Sequence, residues 1–281
     1  MAAMPDLSPA ARLAHDFDRE RFATALFAPP EQREALMLLY AFNVEVARIR
    51  ECVREPMAGM IRLQWWRDTI EAAARGRPVD HHPIAGPLGE VIRRHGLPPE
   101  LFDRLLAARE LDLGGGAPAD LAAAEAYADD TSATLTALAL MVLGEKGEAV
   151  FAAGRHVGIA WALVGQLRAL GFHLSIGRLT LAEATLRAAG TTGEAVLAGT
   201  APRRALTLAA ETVAGQARAH LAEARRTPVS RAALPALLPA VLADGHLNLL
   251  ERAGWDPFDI RVSRTRPQPL RLAWANMRGK F

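Results

Sequence analysis

An all-α fold with one helical domain is what this sequence predicts, and two observations favour it. Alanine is the commonest residue and there are only two tyrosines, whereas strands prefer aromatic and β-branched residues and alanine has the highest helix propensity. Apolar residues recur at helical spacing, with no alternating strand pattern and no repeat with a period of about 20 to 50 residues. We expect the helical domain to cover residues 1–260, followed by a basic, aromatic segment over residues 261–281.

The helices of the first half are marked by their prolines, because proline suits the first turn of a helix and interrupts its interior. We predict one helix before Pro29 and a second that opens after Pro30 and is stopped by Pro56. Three glycines at 114–116 precede no Walker-spaced lysine, so we interpret them as a connector rather than a phosphate-binding loop. Before this connector, further helices are expected at 61–74, 84–95 and 98–112.

Two long apolar helices are predicted in the second half, at 120–143 and 148–172. They are apolar on every side, which is typical of helices in the middle of a protein. Residues 173–200 are punctuated by glycine and threonine, so shorter elements are expected there. Helices near 203–226 and 230–252 follow, and the chain from Trp255 onward is predicted to be irregular.

The composition excludes several classes of protein. The 281 residues are 51% hydrophobic and 23% charged, which is typical of a soluble globular chain. A formal net charge of +2 does not indicate bulk nucleic-acid binding. Cys52 is the only cysteine, so a disulfide scaffold and a cysteine-rich zinc module are excluded. Met1–Asp6 lacks the features of a secretion signal and no apolar run is long enough to span a membrane, so a cytoplasmic location is predicted.

Five stretches of the chain resemble the squalene/phytoene synthase family and occur in the family's order. The resemblance implies the isoprenoid synthase fold, in which helices surround a deep apolar cavity. It also implies two aspartate-rich motifs on facing helices, which hold Mg²⁺ against the diphosphates of prenyl substrates. The five stretches are REALMLLYAFN at 33–43, RLQWWRD at 62–68, ELDL at 110–113, QLRALGFHLSIGRLTL at 166–181 and GWDPF at 254–258.

The sequence departs from the family at the aspartate motifs. Aligned on the landmark around Tyr40, the first motif reads Ala47, Arg48 and Glu51. Aligned on the landmark at Arg178-Leu179, the second reads Ala169 and His173. Mg²⁺ takes oxygen ligands, usually a few carboxylates together with substrate phosphates. Only one carboxylate remains at these five motif positions, and residues 149–182 contain no aspartate or glutamate. We therefore predict no catalytic residue, no metal ligand and no cofactor.

This pattern resembles a degenerate branch of the family, the bacterial relatives of the mitochondrial complex I assembly factor of the phytoene-synthase type. The resemblance implies a non-catalytic protein that assists assembly of NADH:quinone oxidoreductase and binds a prenyl or quinone-like lipid. Complex I subunits or assembly intermediates are the expected partners. The alternative is a Mg²⁺-dependent head-to-head prenyltransferase that acts on prenyl diphosphates, so whether the chain is an enzyme stays open at this point.

Candidate ligand-binding residues come from the helices that would line the cavity. Arg168 lies in an otherwise apolar helix, where a buried charge needs a partner. That partner is either an anionic head group or an acid on a neighbouring helix such as Asp68. For Trp65 and Trp161 two interpretations stay open, lining of the cavity and packing in the core, because aromatic residues at helical spacing are typical of both. The full set is Tyr40, Asn43, Gln64, Trp65, Arg67, Trp161, Gln166, Arg168 and Arg178.

The segment after Asp259 is strongly basic. It contains six arginine and lysine residues and no acid, which leaves a net charge of −4 on residues 1–260. Aliphatic and aromatic residues alternate with these cations, a pattern that suits an anionic membrane surface. The other interpretation is that the segment packs across the domain with its arginines in water. The first interpretation predicts peripheral association with the inner membrane.

Overall fold

A computed structural model describes residues 7–79, 82–263 and 268–281, and within these ranges the chain is helical with no strand. The all-α prediction is confirmed. The helices are α1 (Pro9–Phe17), α2 (Arg19–Ala25), α3 (Pro30–Ala47), α4 (Ile49–Cys52), α5 (Pro56–Ala74), α6 (Ala85–His95), α7 (Pro99–Gly114), α8 (Leu121–Ala128), α9 (Thr134–Val142), α10 (Glu148–Arg168), α11 (Leu170–Ser175), α12 (Glu183–Ala188), α13 (Gly193–Leu197), α14 (Arg203–Ala224), α15 (Leu234–Leu237), α16 (Pro239–Arg252), α17 (Ile260–Ser263) and α18 (Pro269–Arg278).

Proline and short polar caps set the helix starts. Six helices begin on a proline, as expected for a residue whose missing N–H is not needed in the first turn: α1, α3, α5, α7, α16 and α18. The first predicted helix is in fact two, because the Asp18 side chain accepts a hydrogen bond from the Arg21 N–H and starts α2. The prediction that the second helix continues until Pro56 was wrong. The helix stops at Ala47, and Pro56 begins α5 instead.

The long helix α10 occupies the centre of the bundle. It packs against α9, α14 and α16 and against a π-helical segment at Asp129–Ala133. Gly158 allows the closest of these approaches, since a Cβ there would lie 2.3 Å from the Ala133 Cα. Despite its apolar character, neither α10 nor any other helix in the described ranges is long and apolar enough to cross a membrane.

Both long helices predicted for the second half are interrupted. The π-helical segment separates α8 from α9, and α10 ends at Arg168 before α11 begins at Leu170. Helical π-segments occur frequently at functional sites. The second break places Ala169, one of the five motif positions, at the junction of two helices.

The prediction of irregular structure from Trp255 onward was wrong. The chain forms α17 and the ten-residue α18, and α18 packs against α16 with Leu272 buried. Contacts with the body of the protein, which are not local in sequence, hold this segment as a helix. Arg264 and Arg266, two of the six cations of this segment, lie outside the described residues. Residues 1–6, where the sequence lacks the features of a secretion signal, also lie outside them.

Candidate functional site

The first motif region lies where α3 passes into α4. Ala47 is the last residue of α3, Arg48 follows it, and Glu51 lies in α4. Glu51 is paired with Arg48, whose Nε is 3.6 Å from Glu51 Oε2. The Arg48 guanidinium also stacks over the Phe17 ring at 3.7 Å. The one carboxylate of the motif is therefore already engaged by a cation of the same motif.

The second motif region lies at the junction of α10 and α11. Ala169 lines a cavity of about 690 Å³ together with Phe17, so the two motif regions border the same phenylalanine. His173 is partly buried, and its Nδ1 has no hydrogen-bond partner. Burial, and then the charge of Arg178, lower the pKa of His173 to about 4. This histidine is neutral at physiological pH.

Beside His173 lies a cluster of five side chains, Asn43, Arg109, Asp112, Tyr127 and Arg178, which we call the arginine cluster. The Tyr127 hydroxyl and Arg178 Nη2 both contact Asp112 Oδ1, at 2.9 and 2.5 Å. Arg109 Nη1 donates to the Tyr127 hydroxyl at 2.6 Å and lies 3.3 Å from Asp112 Oδ2, while Arg109 Nη2 donates to Asn43 Oδ1 at 3.3 Å. The cluster connects α3, α7, α8 and the segment after α11.

The arginine cluster carries excess positive charge. Two guanidinium groups face one carboxylate, and the Asp112 side chain is only 5% exposed. Burial raises the pKa of Tyr127, so its hydroxyl stays neutral. Burial opposes the charge on Arg109, but Tyr127 and Asp112 outweigh it and raise the pKa of Arg109. The cluster therefore offers a net charge of about +1 in a poorly solvated place, where anions are attracted more strongly than in water.

A cavity of about 430 Å³ opens beside the cluster. It is lined by Asp112, Tyr127 and Arg178 from the cluster, by Gln166 of α10 and by the glycines at 114–116. Glu110 also lines it, and its carboxylate is paired with Arg67. Two polar atoms near this site, Thr180 Oγ1 and Arg109 Nε, are buried without a hydrogen-bond partner. The predicted residues Asn43, Gln166 and Arg178 are thus brought together in this region.

Arg168 belongs to a second network on the other side of α10. Its Nη1 donates to Glu20 Oε2 at 2.7 Å, and Glu20 Oε1 lies 2.5 Å from His246 Nε2. Burial alone would raise the pKa of Glu20, but the hydrogen bond with His246 and the charge of Arg168 outweigh it and lower that pKa. The carboxylate that faces Arg168 is therefore on α2. Asp68, the partner suggested from the sequence, instead accepts a hydrogen bond from Gln64.

Tyr40 and Trp161 come together around a buried arginine. The Arg21 guanidinium lies 6.0 Å from the centre of the Tyr40 ring and 5.8 Å from that of the Trp161 ring. Arg21 also donates to Asp18 and to Ser132. Both aromatic residues are buried, and burial raises the pKa of Tyr40 above its usual value. These two residues line the interior between α3 and α10 as part of the packed core.

The three candidates on α5 lie elsewhere. Trp65 lines a cavity of about 540 Å³ with Arg48, on the side of the first motif region. Arg67 is paired with Asp103 and Glu110 of α7, and Gln64 lies on the same exposed face with Asp68. The structure therefore does not place Gln64 or Arg67 in the cavity next to the arginine cluster. Arg67 joins α5 to α7 through its two acidic partners, whereas Gln64 donates to Asp68 of its own helix.

The donor set at the motif positions does not fit a magnesium site. Mg²⁺ needs several oxygen ligands in near-octahedral geometry, but these positions supply two alanines, an arginine, a histidine and one paired glutamate. Among the residues that the structure describes, no three His, Cys, Asp or Glu side chains converge to hold a metal ion. Arg48, Arg168 and Arg178 lie at or beside the two motif regions instead.

Sequence reasoning missed the partners of the predicted arginines. Arg109, Asp112 and Tyr127 complete the arginine cluster, and Glu20 neutralises Arg168. One signal was available, because Arg109 and Asp112 stand three residues apart and share a helix face. The contact between Arg168 and Glu20 spans 148 residues and leaves no local signal.

A helical bundle with two neighbouring motif regions on α3–α4 and α10–α11 defines the class of isoprenoid-synthase-fold proteins. A family model described as squalene/phytoene synthase matches residues 14–271. This chain belongs to the squalene/phytoene synthase family.

Three relatives illustrate how the family divides. The chain is 31% identical over 249 residues to the "NADH dehydrogenase (ubiquinone) complex I, assembly factor 6" of Bos taurus, which covers 88% of this chain and 74% of the relative. It is 29% identical over 185 residues to a presqualene diphosphate synthase of Rhodopseudomonas palustris, covering 66% of this chain and 65% of the relative. In fold it is similar to the squalene synthase HpnC of Alicyclobacillus acidocaldarius, with a TM-score of 0.78 and 21% identity, over 89% of this chain and 94% of the other.

Proposed function

We propose that this chain assists the assembly of respiratory complex I and does not catalyse prenyl transfer. One observation carries the proposal: of the five motif positions, only Glu51 has a carboxylate, and that carboxylate is paired with Arg48. A synthase uses metal ions to pull the diphosphate from its substrate, which requires a set of oxygen ligands on the protein. Without that set, the bundle keeps its shape and loses the group that drives the reaction.

The relatives support an assembly role. The mammalian proteins named as complex I assembly factor 6 match 86–88% of this chain at 30–31% identity. The match therefore extends over most of the chain. We further propose that the protein works at the face of the inner membrane, where its partners are assembly intermediates of complex I.

We also propose that the cavity beside the arginine cluster holds a prenyl or quinone-like lipid by its polar head. Arg178 and Gln166 line the cavity and offer hydrogen-bond donors, and the cluster has an excess of one positive charge. Purified protein should retain such a lipid, detectable by mass spectrometry of an organic extract. Replacing Arg178 with glutamine should lower the amount retained, whereas Arg187→Gln, on an exposed arginine of α12, should not. Equal retention by both variants would contradict this role for Arg178.

Deletion of the gene in its native host tests the assembly role. We expect loss of NADH:quinone oxidoreductase activity and accumulation of subassemblies on native gels. Wild-type protein and the variant Glu51→Ala should both restore activity, because Glu51 serves no metal in this proposal. Normal complex I in the deletion strain would refute the assembly role. If wild-type protein restores the activity and Glu51→Ala does not, the proposal that the protein is non-catalytic is refuted.

A prenyltransferase activity is the second candidate, and the similarity to a presqualene diphosphate synthase favours it. It predicts pyrophosphate release when the purified protein is incubated with Mg²⁺ and farnesyl or geranylgeranyl diphosphate. We expect no release above a protein-free control. Product formation that is lost in Glu51→Ala would overturn the non-catalytic proposal.

A further inference from the structure

The outer face of α18 is apolar and unusually exposed. Leu270, Trp274 and Met277 are 85%, 57% and 59% exposed. Their spacing of four and three residues places them in one stripe along the helix. Trp274 has the largest exposed fraction of the five tryptophans. Exposed apolar stripes of this kind mark interaction sites, since single exposed apolar residues need no explanation but contiguous ones do.

The opposite face of the helix is fixed to the body of the protein. Leu272 is 2% exposed and packs into the core, and α18 contacts α16. Two arginines of the body hold the backbone at the far end: Arg231 Nη2 donates to the Met277 carbonyl at 3.1 Å, and Arg225 Nε donates to the Phe281 carbonyl at 2.7 Å. The apolar stripe is therefore held outward.

Cations flank the stripe on one side. At about 100° per residue, Arg271 and Arg278 lie about a quarter turn from Leu270. Arg271 is exposed, with its guanidinium beside Gln268 and Gly245 of α16. The Arg278 guanidinium stacks against the Trp274 ring at 5.6 Å. Lys280 follows, and residues 268–281 contain no acid. An apolar stripe with aromatic and basic borders is the pattern of helices that lie in the interface of a lipid bilayer.

We propose that the outer face of α18 docks on the surface of an anionic lipid bilayer, with Leu270, Trp274 and Met277 inserted among the head groups. The positive charge of residues 268–281 favours an anionic bilayer as the binding partner, because each arginine or lysine at the surface is attracted by anionic lipids. The inference deepens the location at the inner membrane proposed above by naming the docking face. Vesicle binding can fail while the assembly role stands, so the two proposals are tested separately. It also orients the bundle, with α16 behind the docking helix.

A second exposed apolar stripe, on α5, is less suited to an anionic bilayer than α18. Met57 and Ile61 of α5 are 69% and 64% exposed. Their surroundings are of mixed charge, with Glu55 and Glu51 as well as arginines close in sequence. An anionic surface would repel these acids, whereas the outer face of α18 presents none.

Binding of the full chain to vesicles tests the proposal. Phosphatidylcholine vesicles with and without phosphatidylglycerol are compared by co-sedimentation and by the emission of tryptophan. We expect binding only to the anionic vesicles, weakening as salt is added, with a blue shift of emission that is lost in Trp274→Ser. The variant Leu270→Ser/Trp274→Ser/Met277→Ser should bind at least about tenfold more weakly. Each cation contributes about fivefold to the affinity for anionic lipid, so Arg271→Gln/Arg278→Gln/Lys280→Gln should bind about a hundredfold more weakly.

A matched control carries the same kind of change elsewhere. Leu197 and Leu208 are 50% and 42% exposed on α13 and α14, and Leu197→Ser/Leu208→Ser should bind as wild type does. None of the substituted side chains on α18 is in the core, so thermal unfolding of all variants should match wild type; the glutamine variant provides a second test if the serine variant does not fold. Binding that is absent, that is equal on neutral vesicles, or that survives both sets of substitutions would overturn the proposal.

Discussion

Replacement of Asp112 by asparagine tests whether the arginine cluster is an energetically coupled unit. The asparagine amide oxygen still accepts the Tyr127 hydrogen bond, but the negative charge that faces Arg109 and Arg178 is lost. Because the Asp112 side chain is 5% exposed, water replaces little of this interaction. Removing one partner of a buried ion pair costs about 3–5 kcal/mol. We expect Asp112→Asn to lower the free energy of unfolding by about that amount.

Urea unfolding followed by circular dichroism measures this change. The matched control is Glu251→Gln, whose carboxylate pairs with Arg218 on the surface with both side chains at least 40% exposed; it should cost less than about 1 kcal/mol. Adding Arg178→Met to Asp112→Asn should recover part of the loss, because one of the two uncompensated cations is then gone. A cost for Asp112→Asn no larger than that of the control, or no recovery in the double variant, would refute the coupling.

Two further predictions concern stability. Gly158→Ala should cost about 3 kcal/mol, because the new Cβ would meet the Ala133 backbone, whereas Gly165→Ala on the same helix meets nothing within 4 Å and should stabilise by about 0.5–1 kcal/mol in urea unfolding. His173, with its folded pKa lowered to about 4, stays neutral in the fold while the unfolded chain binds a proton below about pH 6.5. Stability should therefore fall by about 2.5 kcal/mol from pH 6.5 to 4 relative to His173→Gln; parallel pH curves would contradict this.

The helical architecture was predictable because its signals are local. Proline at the first position of α3 and α7 and apolar spacing along α10 lie within a few residues of the features they specify. The errors fall where tertiary contacts decide the outcome. The segment α18 is helical because Leu272 packs into the body and Arg225 and Arg231 hold its end, and neither contact is visible in the spacing of the segment itself.

The site was predictable in part for the same reason. The missing aspartates are read directly from the motif positions, and the burial of Arg168 implies a partner. The identity of that partner, Glu20 on α2, depends on how distant helices pack. Likewise, Arg178 was singled out as a ligand-binding candidate, but its contact with Asp112 crosses 66 residues and brings together parts of the chain with no shared local pattern.

The cations of the arginine cluster are part of the polypeptide, and this has a consequence for how any ligand is held. A metal ion can be removed by a chelator, diluted or exchanged, whereas a guanidinium group stays in place and keeps its charge at every physiological pH. Retention of an anionic head group beside Arg178 would then be insensitive to the concentration of free Mg²⁺ and to EDTA. Release of such a head group would then depend on its contacts with Arg178 and not on the supply of an ion.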